Sequence, residues 1–120
     1  MTKFLRAVLC AAGFVLAAAP LAAHEYQADG FTLIHPWAEA TDPGVTDAPV
    51  HYRLEDVTRE DRLVRGSTPY AERVEVRGTD APQVVLHGLK QPLEWGRSYL
   101  MTLEFERAGP IVVMISVGAH

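Results

Sequence analysis

The sequence predicts an antiparallel all-β domain. Short stretches in which apolar and polar residues alternate with a period of two recur along the chain, as in half-buried strands. Turns rich in glycine, proline and aspartate separate these stretches at intervals of roughly ten residues, which is typical of β-sandwiches and barrels. No window after the N-terminal leader has the longer period of an amphipathic helix. Together these observations favour strands throughout the folded part.

The first half of the domain contains two predicted strands and a loop. Residues 31–34 alternate weakly and predict a strand that ends at Pro36, because proline cannot donate a hydrogen bond to a ladder. Residues 41–49 hold two prolines, a glycine and two aspartates, and they predict a loop. Residues 51–55 predict the next strand, with Tyr52 facing the core.

The second half is richer in strands. The predicted strands cover residues 61–67, 73–77, 83–86, 98–105 and 111–117. Residues 83–86 are largely apolar without alternation, which indicates a buried strand. Residues 106–110 contain a glycine and a proline and predict the hairpin connection between the last two strands.

Residues 1–23 predict a cleaved secretory signal peptide, which leaves one domain of residues 24–120. Two basic residues precede an apolar run over residues 7–19, and residues 20–23 supply a cleavage zone rich in small side chains. The apolar run is shorter than the ~18–20 residues that a transmembrane anchor needs. Cys10 lacks the preceding lipobox of a lipoprotein. The sequence therefore predicts export, with no membrane attachment after cleavage.

The composition of residues 24–120 excludes several classes of function. Nine basic residues against fifteen acidic ones leave a net charge of about −6, so the basic face of a nucleic-acid-binding protein is missing. The sole cysteine lies in the leader, so any soft-metal site must use histidine or methionine. Met101 and Met114 lie in apolar strands and are predicted to fill the core. Ser67 and Thr68 lack the flanking glycines of a hydrolase nucleophile elbow. No phosphate-binding loop or dinucleotide-binding fingerprint occurs either, so an enzyme is not expected.

Six segments of the chain carry a family resemblance. They are His35-Pro36-Trp37-Ala38, Ala40-Thr41 with Pro43-Gly44, Asp61-Arg62-Leu63-Val64, Ser67-Thr68-Pro69, Ala71-Glu72-Arg73-Val74-Glu75 and Gly88-Leu89-Lys90-Gln91-Pro92-Leu93. In this order they resemble the periplasmic copper chaperones of the PCuAC type. The resemblance implies a cupredoxin-like β-sandwich in the periplasm. It also implies copper as cargo, passed without catalysis to an acceptor such as a cytochrome oxidase assembly factor.

The copper motif of that family does not carry over to this chain. The motif combines a histidine, a methionine and a His-x-Met pair; the positions that align with the first histidine and with the pair are Arg77, Gln83 and Val85. Residues 78–82 replace a much longer family segment that contains the methionine. Cu(I) prefers thioether sulfur with imidazole, whereas a guanidinium repels a cation and an amide is a hard ligand. The sequence therefore predicts a shortened member with a weakened or altered copper site.

Two histidines are the best remaining candidate copper ligands. His87 shares a strand face with the two substituted positions of the pair; the alternative is an ordinary polar residue at a strand end. His24 becomes the N-terminus after cleavage, where its amine and imidazole could chelate Cu(II) with His51 or His120 as a further ligand; the alternative is a frayed terminus. His35 is expected to pin a turn, and His51 to face solvent.

A second function remains open beside copper handling. The chain could be an interaction module that kept the sandwich and lost its cargo. In that case the deletion would expose a strand edge, and an unpaired edge is a template for pairing with a partner protein or with a second copy. Homodimerisation is a corollary of this hypothesis.

Overall fold

A computed structural model of the protein describes residues 25–78 and 82–118. The predicted leader, His24 and His120 lie outside the described residues. Eight strands lie in these described ranges: β1 (Glu25–Ala28), β2 (Phe31–Ala38), β3 (Asp47–Glu55), β4 (Leu63–Ser67), β5 (Ala71–Arg77), β6 (Gln83–Leu89), β7 (Ser98–Phe105) and β8 (Gly109–Val117). Within the described ranges, no helix is long and apolar enough to cross a membrane.

The strands form one closed, barrel-like sheet. Their order is β1-β2-β3-β6-β5-β4-β7-β8, and a further pairing of β2 with β8 closes the sheet. The closing contact is parallel and short, joining Trp37 to Ser116 and Ala38 to Val117, whereas the other ladders are antiparallel. The predicted antiparallel all-β class is therefore confirmed.

The expectation of a strand edge exposed beside residues 78–82 is wrong. β5 and β6 pair with each other from Ala71–Leu89 to Arg77–Gln83. On their other sides, β5 pairs with β4 and β6 pairs with β3. Both strands that flank residues 78–82 therefore have neighbours on each side.

Two prolines lie inside strands, although the sequence predicts a strand end at one and a loop at the other. Pro36 does not end the first predicted strand but lies inside β2, fully buried. The pairing of β2 with β3 shifts between Ile34 and Trp37, and His35 there has a positive φ of 48°. Such a bulge takes residues out of the ladder, so the missing N–H of proline costs little. Similarly, β3 begins at Asp47 and continues through Pro49, inside the predicted loop. The short strand β1 was not predicted.

Alternation along the strands fills the interior of the barrel. Met101, Leu103, Val113 and Ile115 have no exposed surface, and they alternate with outward-facing residues on β7 and β8. The remaining core side chains come from Tyr99, Phe105 and Val117 of the same two strands, from β2 to β6 and from Leu93. Each fully buried aliphatic side chain contributes about 1.5–3 kcal/mol through removal of apolar surface from water. The interior is therefore an apolar core, and its packing decides which side chains of each strand point outward.

The family-like segments contact one another. The backbone N–H of Thr41 donates to the carbonyl of Leu93, and the N–H of Leu93 donates to the Thr41 hydroxyl, at 3.0 and 2.8 Å. Gly88 has a φ of 69°, and a Cβ atom there would lie 2.6 Å from Oε1 of Glu72. These pairs join loops and strand ends that are distant in sequence. The segments thus stabilise the fold, as their positions at turns and strand starts indicate.

Asp61, the first residue of another family-like segment, holds the turn between β7 and β8. Its carboxylate accepts backbone N–H bonds from Arg62, Arg107 and Ala108 at 2.8, 2.8 and 2.9 Å. Desolvation raises the pKa of Asp61, but these three bonds together with the charge of Arg59 lower it more, so the net shift is downward. The side chain therefore has a structural role.

Candidate functional site

His87 lies on the outer face of the barrel between two carboxylates. Its neighbours Leu86 and Val84 point into the core, so residues 83, 85 and 87 share the outer face, as predicted. The imidazole Nδ1 lies 3.0 Å from Oδ1 of Asp47 on β3, and Nε2 lies 2.5 Å from Oε1 of Glu75 on β5. Only 15% of the His87 side chain is exposed. The ring therefore bridges three adjacent strands.

Arg77 completes this outer-face cluster of Asp47, Glu75, His87 and Arg77. Its Nε donates to Oε2 of Glu75 at 2.8 Å. The hydrogen bonds from Arg77 and, second, from His87 lower the pKa of Glu75 from 4.5 to about 2. The same bond to Glu75 raises the pKa of Arg77. Glu75 is therefore ionised over the whole neutral and mildly acidic range.

The cluster is an ion-pair network and lacks the geometry of a metal cage. The carboxylates of Asp47 and Glu75 lie on opposite edges of the imidazole, so the three groups do not face one common point. When both carboxylates are ionised, only the imidazolium form of His87 can donate at both nitrogens. Within residues 25–78 and 82–118, no group of three or more His, Cys, Asp or Glu side chains could hold a metal ion.

The two substituted positions of the His-x-Met pair lie beside this cluster. Val85 is buried and pairs with Glu75 on one side and Pro49 on the other. Gln83 is exposed and pairs with Arg77. The positions that the family motif would fill with soft ligands thus hold a buried apolar side chain, an exposed amide and an exposed guanidinium.

A small pocket of about 250 Å³ opens beside Asp47. Its lining includes the acidic residues Glu39 and Asp42 as well as His51. Carboxylates around a concave surface raise the local concentration of cations. Asp47 also lines this pocket, so its carboxylate adds to the negative charge there.

The other histidines lie apart from His87. His51 is exposed, as predicted, and its ring lies 4.5 Å from that of Trp37, with an angle of 33° between their planes. His35 lies at the bulge of β2 and is half-buried. Neither His35 nor His51 is among the residues that contact the ring of His87 in the described part of the chain.

The two methionines have different positions. Met101 has no exposed surface, which confirms the predicted core position. The same prediction for Met114 is wrong, because 41% of it is exposed. Met114 pairs with Leu100 on β7, and both side chains point outward, since Val113 and Ile115 take the inward positions of β8.

Asp47 and Glu75 are not among the site residues that the sequence predicts. Alternation along β5 could have placed Glu75 on the outer face with its neighbours at 73 and 77. Strand order and register, however, decide that Glu75 and Asp47 flank His87, and no local pattern carries that information. Asp47 was also assigned to a loop, although it begins β3.

No protein-family model and no curated protein matches the sequence. Solved structures do match. The apo PCuAC domain from PmoF1 is 24% identical with a TM-score of 0.71, and the alignment covers 81% of this chain and 100% of that domain. The copper-bound PCuAC domain from PmoF2 is 24% identical with a TM-score of 0.68, and the alignment covers 81% of this chain and 99% of that domain. CuI-DR1885 from Deinococcus radiodurans, solved in solution, is 22% identical with a TM-score of 0.59, covering 85% of each chain.

At these identities the likeness establishes the fold. Because the alignment extends over the whole PmoF1 domain, a barrel of this length lies within the range of solved PCuAC domains. The chain has the fold of PCuAC domains, and the resemblance predicted from its sequence segments is confirmed at the level of the fold.

Proposed function

We propose that this protein is a copper-chaperone-like domain of the PCuAC type with an altered, weakened copper site. The observation that supports the proposal is the likeness of its barrel to a copper-bound PCuAC domain, at a TM-score of 0.68. Copper is cargo in this role: it enters and leaves by ligand exchange, without catalysis. The acceptor is a protein such as a cytochrome oxidase assembly factor.

His87 is the proposed ligand on the barrel. A copper ion would take one ring nitrogen and displace the carboxylate that now contacts it, either Asp47 at Nδ1 or Glu75 at Nε2. Imidazole and carboxylate suit Cu(II), whereas Cu(I) prefers thioether sulfur, and no methionine lies at the aligned positions. Competition with an existing ion-pair network reduces the affinity further.

His24 is the second proposed ligand, and its role depends on the proposed cleavage of the chain after residue 23. Removal of residues 1–23 on export to the periplasm would leave the domain of residues 24–120 with His24 at its N-terminus. We further propose that the barrel is a shortened form of the cupredoxin-like sandwich.

The two carboxylate contacts of His87 favour a second function. Both ring nitrogens contact carboxylates, so the outer face is already satisfied without a metal. A periplasmic interaction module that kept the PCuAC fold and lost copper would have this arrangement. The two functions differ in whether copper displaces the carboxylates of Asp47 and Glu75.

Titration of the purified, processed protein with Cu(II) and with Cu(I) separates these functions. Stoichiometric binding that is lost in His87→Ala and kept in His51→Ala supports the site on the barrel. The His51→Ala variant is the matched control, because it removes an exposed imidazole outside the cluster. Binding that is lost when an N-terminal extension precedes His24 supports the terminal site. If neither copper ion binds to any form, the copper function is wrong and the interaction module is supported.

A further inference from the structure

Met114 presents a thioether side chain to solvent on the outward face of β8. Its exposed fraction is 41%, whereas Val113 and Ile115 on either side of it have no exposed surface. Successive side chains of a strand point to opposite faces, so Met114 points away from the core. Its backbone is ordered, because it pairs with Leu100 on β7 and its N–H donates to the hydroxyl of Tyr26 at 3.0 Å. The exposed thioether therefore extends from an ordered strand.

Met101 has the opposite environment on the same hairpin. It pairs with Val113, one position along the ladder from the pair of Leu100 with Met114. No part of Met101 is exposed, because its side chain lies in the apolar core. The two thioethers thus belong to adjacent positions of one ladder and lie on opposite faces of the sheet. An oxidant dissolved in water reaches Met114 in the folded protein, whereas it reaches Met101 only when the barrel opens.

We propose that Met114 is a site of reversible oxidation by peroxides. The sulfur lone pair attacks one oxygen of the peroxide, so that an S–O bond forms while the O–O bond breaks. With hydrogen peroxide, the leaving hydroxide takes the proton of the transferred oxygen and departs as water, and the two electrons lost by sulfur reduce the peroxide. The thiols of a methionine sulfoxide reductase restore the thioether: they are oxidised to a disulfide, and the sulfoxide oxygen leaves as water.

Oxidation of Met114 changes the polarity of the outward face and leaves the core intact. Leu100 and Val112, which are 39% and 57% exposed, share this face with Met114. A sulfoxide is polar, so its formation interrupts a row of three exposed apolar side chains. The same reaction at Met101 would place a polar oxygen in the apolar core, at a cost in free energy. Met114 is therefore the position at which the folded barrel tolerates the oxidised form.

Peptide mass spectrometry after treatment with hydrogen peroxide measures the two oxidation rates separately. Trypsin cleavage after Arg97 and Arg107 places Met101 and Met114 in different peptides. In the folded protein, Met114 should gain one oxygen at least about tenfold faster than Met101. In concentrated urea the two rates should become equal, because both thioethers are then in water. Equal rates in the folded protein, or faster oxidation of Met101, would overturn the proposal.

Met114→Leu and Met101→Leu are the matched variants, since leucine keeps an apolar side chain of similar size. Met114→Leu should lose the fast oxidation, and Met101→Leu should keep it. The oxidised wild type should elute earlier from a hydrophobic-interaction column, with its thermal midpoint lowered by about 4 °C or less. Reductases for the two sulfoxide epimers should restore the mass and the elution. Unfolding of the barrel on oxidation of Met114, or a sulfoxide that the reductases leave unchanged, would contradict the proposal.

Discussion

The Nε2 atom of His87 lies 2.5 Å from Oε1 of Glu75, across the ladder between β6 and β5. Arg77 holds the other oxygen of the same carboxylate at 2.8 Å. Arg77 is the residue that the sequence resemblance predicts at the position of the first histidine of the copper motif. Where PCuAC-type chaperones are expected to place soft ligands, this chain therefore places a cross-strand network of hydrogen-bonded charges that joins β3, β6 and β5.

This network makes stability depend on pH through Glu75. Its pKa is lowered in the folded protein from 4.5 to about 2. An acid whose pKa is lower in the folded than in the unfolded protein stabilises the fold at pH values above its unfolded-state pKa. This stabilisation is lost as the pH falls through the folded-state pKa. The free energy of unfolding should therefore decrease between about pH 4.5 and pH 2.

Urea unfolding of the wild type and of Glu75→Gln across this pH range measures the effect. The slope of stability against pH should be smaller in Glu75→Gln, because that side chain does not titrate. Glu104→Gln is the matched control, since it removes a carboxylate ion-paired with Arg65 outside the cluster. Equal slopes for wild type and Glu75→Gln would contradict the prediction.

Removal of the bridging imidazole should destabilise the fold even without copper. His87→Ala leaves Asp47 and Glu75 facing each other without the ring between them, and we expect a loss of about 1 kcal/mol. The measurement is urea unfolding at neutral pH in the presence of a chelator. His51→Ala should change stability by less than about 0.5 kcal/mol, as is usual for exposed positions. A larger effect at His51 than at His87 would show that the network does not stabilise the barrel.

We expect the turn between β7 and β8 to depend on the side chain of Asp61. Asp61→Ala removes the acceptor of three backbone N–H bonds, and we expect a loss of about 1–2 kcal/mol. Asp61→Asn should recover part of the loss, because the amide oxygen still accepts. Thermal unfolding compares both variants with Glu60→Ala, which removes the neighbouring acid. Hydrogen exchange at Arg107 and Ala108 should accelerate in Asp61→Ala; unchanged exchange there would disprove the role.

Gly88 should tolerate no side chain beside Glu72. In Gly88→Ala, the new Cβ would meet Oε1, Cγ and Cβ of Glu72 at 2.6–2.9 Å while φ remains at 69°. We expect a loss of about 1–3 kcal/mol, from the strain and the clash together. Gly96→Ala is the control, because φ there is 83° and no atom lies within 4 Å of the new Cβ.

The double variant Gly88→Ala with Glu72→Ala separates the two causes. It should recover the part of the loss that comes from the clash and leave the part that comes from the backbone. If Gly88→Ala and Gly96→Ala lose equal stability, contact with Glu72 contributes nothing. Chemical unfolding of the four chains provides these differences.

Most strands could be predicted, because alternation and turn residues are local signals. Residues 98–105 match β7 at both ends, and the predicted strands at 73–77 and 83–86 lie within β5 and β6. The errors fall where the local signal misleads. Proline normally ends a strand, but Pro36 lies at a bulge of β2 and Pro49 lies within β3. Met114 is apolar in an apolar strand, yet it faces outward because alternation places Val113 and Ile115 in the core.

The sequence by itself determined the all-β class and the resemblance to PCuAC chaperones, and it predicted that their soft ligands are absent from the aligned positions, since these depend on residue identity and on local periodicity. Only the tertiary structure decided what stands in their place. The partners of His87 are 12 and 40 residues away along the chain, and they meet it only because β6 lies between β5 and β3. The strand order and register that bring them together depend on packing of the whole core, and no local stretch of sequence specifies that packing.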